Sequence, residues 1–205
     1  SEKQKAIFDL YESKALPLFK SSGLAKLKTT HRFGSALAEV LDQYVYQYGF
    51  CASKQCDTEL FYIDTQNGEI AQERSCIKEV KAIESLLLNE THDQDLAILT
   101  PYNKQLTLLK KTLPRDVHDQ VLTVHKSQGN EWDTVIFSIV DDAKYGKRGH
   151  FFTDTSNKES QGINLINTVV SRTKKRLILV GNRDFWMSQP QQMIGAFFRI
   201  AKPLR

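Results

Sequence analysis

Short apolar runs alternate with helix-like segments along most of this sequence, and this alternation limits the folds that the chain can adopt. The apolar, β-favouring runs predict strands at residues 60–64, 96–99, 121–124, 134–140 and 176–181. Apolar residues repeated at helical spacing predict helices over residues 34–48, 77–87, 101–113 and 163–172, and the first segment, Glu2 to Lys20, is also expected to be helical. Strands that alternate with helices are typical of an α/β fold, in which a mainly parallel sheet is flanked by helices on both faces.

The composition excludes a disordered, fibrous or membrane-spanning chain. Of the 205 residues, 40% are hydrophobic and 25% are charged, which suits one folded domain with a sizeable core. The longest apolar runs are far too short to cross a bilayer, so we expect no membrane partner. Three cysteines without a C-x-x-C pair predict free thiols and a cytoplasmic protein.

The charge balance permits a nucleic-acid partner without requiring one. The net charge is +4, so any attraction to a polyanion must come from clustered basic residues. Lys and Arg gather at residues 144–148 and again at 172–176. Because such clusters are more often solvated faces than binding sites, charge alone leaves this question open.

Polar residues interrupt the chain where predicted strands end. The stretch "LTVHKSQGNEWDTVIFSIV" is apolar at both ends but polar in the middle, so it cannot be one strand. Four such polar stretches are Thr29 to Arg32, Thr100 to Asn103, His125 to Glu131, and Ser171 to Arg172. Ligands of open parallel sheets bind beyond the carboxyl ends of the strands, so we expect these stretches at that edge. Residues 141–161 lack periodicity and predict a long connection.

The order and spacing of these stretches resemble the motifs of superfamily 1 helicases. "LTVHKSQGNEWDTVI" resembles motif V, "INLINTVVSRTKKRLILVGN" resembles motif VI, and "LKTTHRF" is similar to motif IV. "AILTPYNKQ" resembles a segment of the branch that moves 5′ to 3′, which includes the nonsense-mediated-decay helicase and RecD-type helicases. The resemblance covers Leu27 to Asn182 and implies a second RecA-like motor domain, a three-layer sandwich with a mainly parallel sheet flanked by helices.

The resemblance also implies roles for particular side chains. Arg32 and Arg172 would be catalytic and would point at the γ-phosphate of ATP, where the guanidinium fork binds phosphate oxygens. Gln128, Gly129 and Glu131 would contribute to nucleotide binding. The side chains expected to face a single-stranded nucleic acid are Thr100, His125 and Ser127.

ATP and Mg²⁺ are the cofactors that the resemblance implies, and both would require a first motor domain. The G-x-x-x-x-G-K-[ST] phosphate-binding loop of that domain does not occur in the sequence. We therefore expect residues 1–205 to be a single RecA-like C-terminal helicase domain, cut from a larger protein and inactive alone. Its expected partners are the first RecA-like domain of the same chain and single-stranded nucleic acid, with DNA favoured over RNA.

Two rival functions remain open at this point. The chain could be a stand-alone nucleic-acid-binding module that has lost the motor, or a structural domain whose motifs are remnants. A nuclease is excluded, because the pattern Asp64, Glu79 and Lys81 needs a strand, whereas Glu79 and Lys81 lie in a predicted helix and point in different directions. The aromatic residues 44–50 could stack on bases, but the spacing of Tyr44 and Tyr48 favours core packing.

Overall fold

The computed structural model describes residues 28–53, 57–66, 74–89, 95–141, 153–155 and 161–204. The strands are β1 (Thr29–Thr30), β2 (Cys51–Ala52), β3 (Glu59–Asp64), β4 (Leu96–Thr100), β5 (Val121–Thr123), β6 (Trp132–Ser138), β7 (Thr173–Gly181) and β8 (Lys202–Pro203). The α-helices are α1 (Ser35–Leu41), α2 (Ile77–Asn89), α3 (Asn103–Thr112), α4 (Gln161–Ser171), α5 (Arg183–Met187) and α6 (Met193–Ile200). The predicted first helix, and most of the connection predicted at 141–161, lie outside the described residues.

The main sheet has six strands in the order β5-β4-β6-β7-β3-β8, and every neighbouring pair is parallel. A parallel neighbour needs a crossover connection, which the helices provide. β1 and β2 pair separately as a two-stranded parallel sheet. The predicted fold class, an α/β fold with a mainly parallel sheet flanked by helices, is therefore confirmed.

Both faces of the sheet are covered, so the central strands carry runs of buried apolar residues, such as residues 135–137 of β6 and 177–180 of β7. In β4, Ala97 and Leu99 join one core with α1, α4 and α6, whereas Leu96 and Ile98 join a second core with α2 and α3. Successive side chains of a strand point to opposite faces, so alternate residues of the run "LAILT" pack into the two cores. Within the described residues, no helix is both long and apolar enough to cross a membrane.

The helix predicted over residues 34–48 ends early, and Asp42 supplies the reason. α1 gives way to a π-helical turn at Asp42–Tyr46, and Gln47 follows with a left-handed φ of 55°. One Asp42 carboxylate oxygen accepts the backbone N–H groups of Tyr48, Gly49 and Phe50. These bonds hold the pKa of Asp42 below its usual range, led by the bond from Phe50. The side chain thus competes with the helix for backbone donors.

Three elements near the chain end were not predicted: α5, α6 and β8. In α6, residues 193–198 are all buried, and only Arg199 and Ile200 at its end are exposed. Of the aromatic residues between α1 and β2, Tyr44, Tyr46 and Phe50 pack against the same core. The Tyr46 and Phe50 ring centroids, for example, lie 4.3 Å apart.

Candidate functional site

The polar break after β5 is a tight turn that begins the crossover from β5 to β6. A 3-10 turn spans Val124–Ser127, and the Thr123 hydroxyl accepts the Lys126 N–H at 3.4 Å. The buried Ser127 hydroxyl donates to the Val124 carbonyl at 2.7 Å. Local side-chain bonds therefore replace the strand ladder where the chain turns away from the sheet.

Gly129 lets the same connection continue towards β6. Its φ is +94°, a left-handed conformation that side-chain-bearing residues rarely adopt, and the Asn130 N–H donates to the Ser127 carbonyl. No heavy atom would lie within 4 Å of a Cβ added at Gly129, so the backbone angle rather than a close contact requires glycine. Gln128 and Gly129 are both exposed beside this turn.

Two arginines from distant parts of the sequence converge on the end of this connection. The Arg32 Nε lies 3.1 Å from a Glu131 carboxylate oxygen, and the Arg172 Nη1 donates to the Asn130 carbonyl at 3.0 Å. The Trp132 N–H donates to the Arg172 carbonyl at 2.8 Å, which fixes the end of α4 beside the start of β6. We call Arg32, Asn130, Glu131 and Arg172 the arginine cluster.

The arginine cluster lies at the amino edge of the sheet, which corrects the expectation that Glu131 and Arg172 lie at the carboxyl edge. Trp132 and Thr173, the first residues of β6 and β7, are partners in register, and Glu131 and Arg172 directly precede them. The reason is topological. A crossover between parallel strands starts at a carboxyl end but must return to an amino end, so its last residues lie at the opposite edge.

The donors of the arginine cluster fit nucleotide phosphate. Its two guanidinium groups are permanently charged and offer several N–H donors in a fixed plane. Among the described residues, the buried Arg172 Nε has no hydrogen-bond partner, so a ligand oxygen would satisfy it. The Arg32 side chain is 56% exposed and can reach a ligand. In the described ranges, no three His, Cys, Asp or Glu side chains form a cluster that could hold a metal ion.

The neighbouring lysines are held by acids instead of facing a ligand. Lys174 contacts Asp95 at 2.6 Å and Asp133 at 3.2 Å, and Lys175 contacts Asp133 at 2.6 Å. The hydrogen bond from Lys175, followed by that from Lys174, holds the pKa of Asp133 below its usual range. Lys174 and Lys175 of the basic cluster at 172–176 therefore belong to a surface ion-pair network.

A second concave site lies at the carboxyl edge, beyond β4 and β5. It has a volume of about 350 Å³ and is lined by Arg74, Pro101, Tyr102, Asn103, Lys104 and His125. β4 and β5 end in register, with Thr100 beside Thr123, so the two following turns form neighbouring walls. We call this cavity the basic pocket, because it combines two cationic side chains with an imidazole and an aromatic ring.

Of the three residues predicted to face nucleic acid, one is exposed and two are buried. His125 is exposed and lines the basic pocket. Thr100 is fully buried and its hydroxyl accepts the Tyr102 N–H, and Ser127 is buried in the turn described above. In this structure Thr100 and Ser127 therefore shape the two loops without reaching the surface.

Sequence reasoning missed three polar residues of the basic pocket. Asn103 and Lys104 belong to the stretch "TPYNKQ" and could have been included, because they directly follow a strand end. Arg74 lies before α2, and no local pattern marks it. Its φ of +63° is uncommon for a residue with a side chain, and its guanidinium carbon lies 5.5 Å from the Tyr102 ring centroid.

Beneath the basic pocket, a buried carboxylate joins three parts of the chain. Asp141 is 2% exposed and accepts the hydroxyls of Tyr102 at 2.6 Å and Thr153 at 2.5 Å. The Trp186 Nε1 donates to the Asp141 backbone carbonyl at 3.1 Å. Burial raises the pKa of Asp141 to about 6, although the hydrogen bonds from Thr153 and Tyr102 oppose that rise.

We expect the ionisation of Asp141 to lower the free energy of unfolding as pH rises. Between pH 3.8 and about 6 the folded chain keeps the Asp141 proton while the unfolded chain has released it. The free energy of unfolding therefore falls across this interval, by about 3 kcal/mol in total. Urea unfolding of wild type and Asp141→Asn across this range measures the effect. A constant stability difference between the two proteins would contradict it.

The carboxylate of the buried Glu79 is hydrogen-bonded within the core. Its carboxylate accepts the Ser138 hydroxyl at 2.6 Å and the Val140 N–H at 2.8 Å, inside the layer between α2 and the sheet. Gln105 donates to the same Ser138 oxygen at 2.9 Å. Glu79 is therefore engaged in the core, consistent with the exclusion of a nuclease site.

Comparison with known proteins gives the following matches. A family model described as an AAA domain matches residues 11–184. The chain is 26% identical over 114 residues to the DNA replication ATP-dependent helicase/nuclease DNA2 of Saccharomyces cerevisiae, covering 55% of this chain and 7% of that protein. It is 29% identical over 122 residues to the DNA replication ATP-dependent helicase/nuclease JHS1 of Arabidopsis thaliana, covering 60% of this chain and 8% of that protein.

One solved structure with a comparable length is the C-terminal domain of a possible DNA helicase from Lactobacillus plantarum WCFS1. It aligns with a TM-score of 0.44 and 15% identity, over 74% of this chain and 87% of that one. The two curated relatives are far longer, and the chain spans only 7% and 8% of their lengths.

Proposed function

The chain belongs to the AAA domain family and is related to superfamily 1 helicases, and on that premise we propose that it is the second RecA-like motor domain of an ATP-dependent helicase. A first motor domain of the same chain would supply the phosphate-binding loop and, with the nucleotide itself, the ligands of Mg²⁺. By resemblance, movement would be 5′ to 3′. Hydrolysis would then require both domains, so the 205-residue chain alone is expected to be inactive.

The convergence of Arg32 and Arg172 carries this proposal. The two residues are 140 positions apart, yet both guanidinium groups contact the Asn130–Glu131 backbone or side chain. Arginine suits a phosphoryl-transfer site, because its charge and fork geometry stabilise the charge on the transferred group. The buried Arg172 Nε would gain a partner from a γ-phosphate oxygen.

Glu131 would change its binding partner when nucleotide binds. Without nucleotide it holds Arg32 through the 3.1 Å ion pair. With nucleotide, Arg32 would turn to phosphate, and the Glu131 carboxylate could accept a ribose hydroxyl. The exposed Gln128 and Gly129 lie beside it and would line the nucleotide.

The basic pocket would contact the nucleic-acid strand. Arg74, Lys104 and His125 can bind backbone phosphates without reading base identity. Thr100 and Ser127 would hold the loops that present these side chains. The names of both curated relatives refer to DNA replication, so single-stranded DNA is the first strand to test.

Arg32→Ala in the full-length protein is expected to reduce nucleic-acid-stimulated ATP hydrolysis by about a hundredfold, as for other single donors to a developing charge. The Arg32 side chain is more than half exposed, so its removal should leave folding intact. Steady-state hydrolysis with saturating single-stranded DNA measures this loss.

The matched control is Arg199→Ala, which removes an exposed arginine from the last turn of α6. It should hydrolyse ATP at the wild-type rate. A wild-type rate in Arg32→Ala would remove Arg32 from the site. A wild-type protein without nucleic-acid-stimulated hydrolysis would refute the motor itself.

A further inference from the structure

We propose that Asp141 is a positioning residue for single-stranded nucleic acid, because its carboxylate holds the Tyr102 hydroxyl and so fixes the wall of the basic pocket on which Arg74 lies. The inference rests on the proposed function of the basic pocket. It adds a residue that does not touch the strand and was not among the predicted site residues.

The contacts run from the core to the pocket surface. Asp141 is buried, and its Oδ1 accepts the Tyr102 hydroxyl at 2.6 Å. Tyr102 is 4% exposed and lines the pocket with its ring. The Arg74 guanidinium carbon lies 5.5 Å from the centroid of that ring, within the range of a cation–π contact. The carboxylate therefore fixes the phenol, and the phenol fixes the cation.

Asp141 is also anchored independently of the pocket. Its second oxygen accepts the Thr153 hydroxyl, and its backbone carbonyl accepts the Trp186 Nε1 at 3.1 Å. Trp186 is fully buried, so the peptide of Asp141 is attached to the core. An anchor of this kind can hold Tyr102 in one rotamer, so less side-chain entropy is lost when a nucleic-acid strand binds.

Stability alone does not account for an acid at this position. Burial opposes the charged form of Asp141, and the pH dependence argued above makes it a destabilising residue near neutral pH. Replacing a buried charge by an uncharged side chain of similar volume is often neutral or stabilising. A buried group that lowers stability and lies beside a binding cavity is expected where function requires that group.

A competing account assigns Asp141 only an electrostatic role, and it predicts the opposite sign. If Asp141 merely adds negative charge near a cationic pocket, removing that charge would tighten the binding of a polyanion. If Asp141 positions Tyr102, losing the hydrogen-bond acceptor would weaken binding. The two accounts therefore differ in direction.

The experiment measures binding of fluorescein-labelled oligothymidine to the full-length protein by fluorescence anisotropy, with variants that separate charge from hydrogen bonding. Asp141→Leu removes the acceptor and is expected to weaken binding about fivefold, the loss typical of one net hydrogen bond. Asp141→Asn removes the charge but keeps an acceptor oxygen, so it should bind as wild type does. Tyr102→Phe keeps the ring and should match Asp141→Leu. The double variant should be no weaker than either single variant.

Salt dependence adds a readout that a purely structural role would not change. Arg74→Ala should lower the slope of log affinity against log salt by about one, because one phosphate contact is lost. Asp141→Leu should lower it by the same amount. Arg199→Ala is the matched control, since it removes an exposed arginine of α6 that does not line the basic pocket, and it should leave both affinity and slope unchanged.

Three results would overturn the inference. Wild-type binding in both Asp141→Leu and Tyr102→Phe would refute it and leave the proposed function intact. Tighter binding in both Asp141→Leu and Asp141→Asn would replace positioning by electrostatics. If the wild-type full-length protein did not bind the oligonucleotide, the nucleic-acid part of the proposed function would fall, and this inference with it. Tyr102→Phe keeps the test decisive if Asp141→Leu does not fold.

Discussion

Arg172→Ala is expected to reduce nucleic-acid-stimulated ATP hydrolysis by the full-length protein on the order of a thousandfold, the range found for arginine fingers. Arg172 ends the connection between α4 and β7, and both flanking elements are packed into the sheet. The position of its guanidinium is therefore set by the rigid core, which is what a transition-state contact requires. The expected loss exceeds that for Arg32, whose side chain is more exposed.

The same substitution should leave the fold intact, so the loss can be assigned to chemistry. The side chain of Arg172 makes one described hydrogen bond, to the Asn130 carbonyl, which water can replace. Oligonucleotide binding at the distant basic pocket should stay at the wild-type value. Arg172→Lys keeps the charge but loses the planar fork, and should recover only part of the rate. Hydrolysis by Arg172→Ala at the wild-type rate would show that another residue stabilises the transferred phosphate.

Trp186→Ala is expected to lower the free energy of unfolding by about 3 to 5 kcal/mol, the range for deleting a large buried aromatic ring. Trp186 is fully buried, its ring packs edge-on against Phe185 at 5.0 Å, and its Nε1 donates to the Asp141 carbonyl. The closely packed backbone around it cannot collapse into the space. A Cβ on Gly195, for example, would already meet the Trp186 carbonyl oxygen.

Chemical denaturation of wild type, Trp186→Ala and Trp186→Phe would measure this effect. Trp186→Phe keeps most of the ring volume and loses the hydrogen bond, so its destabilisation should be clearly smaller. Equal destabilisation by the two substitutions would mean that the hydrogen bond, not the packing, holds this part of the core. A small effect of Trp186→Ala would mean that α5 and α6 can repack.

The two candidate sites lie at opposite edges of one sheet, and a single connection reaches both. Its first half contributes His125 to the basic pocket, and its second half contributes Glu131 to the arginine cluster. The chain between them contains a 3-10 turn and Gly129, which determine its path. A movement at one site could therefore reach the other through covalently adjacent residues.

Local sequence patterns identified the main strands and helices well. β3, β4, β5, β6 and β7 all appear where apolar runs were found, because a strand buried on both faces must be apolar at each position. Patterns failed where a tertiary contact decided the outcome. Asp42, for example, diverts its helix through three backbone bonds.

The residues of the candidate sites also differ in whether the sequence could identify them. The resemblance to superfamily 1 helicase motifs singled out Arg32, Glu131, His125 and Arg172, and each stands at a polar break beside an apolar element. No pattern in the sequence could bring Arg74 to Tyr102, or Asp141 beneath both, since these contacts join segments that meet only after the sheet has formed.

The sequence by itself therefore determined the α/β alternation, five of the six strands of the parallel sheet and the residue types offered to a phosphate ligand. Only the tertiary structure decided on which edge each polar group lies. The reason is that apolar periodicity records burial, which is local to an element, whereas the edge reached by a loop depends on where its crossover ends. For Glu131 and Arg172 that edge is the amino edge of β6 and β7, opposite to the basic pocket.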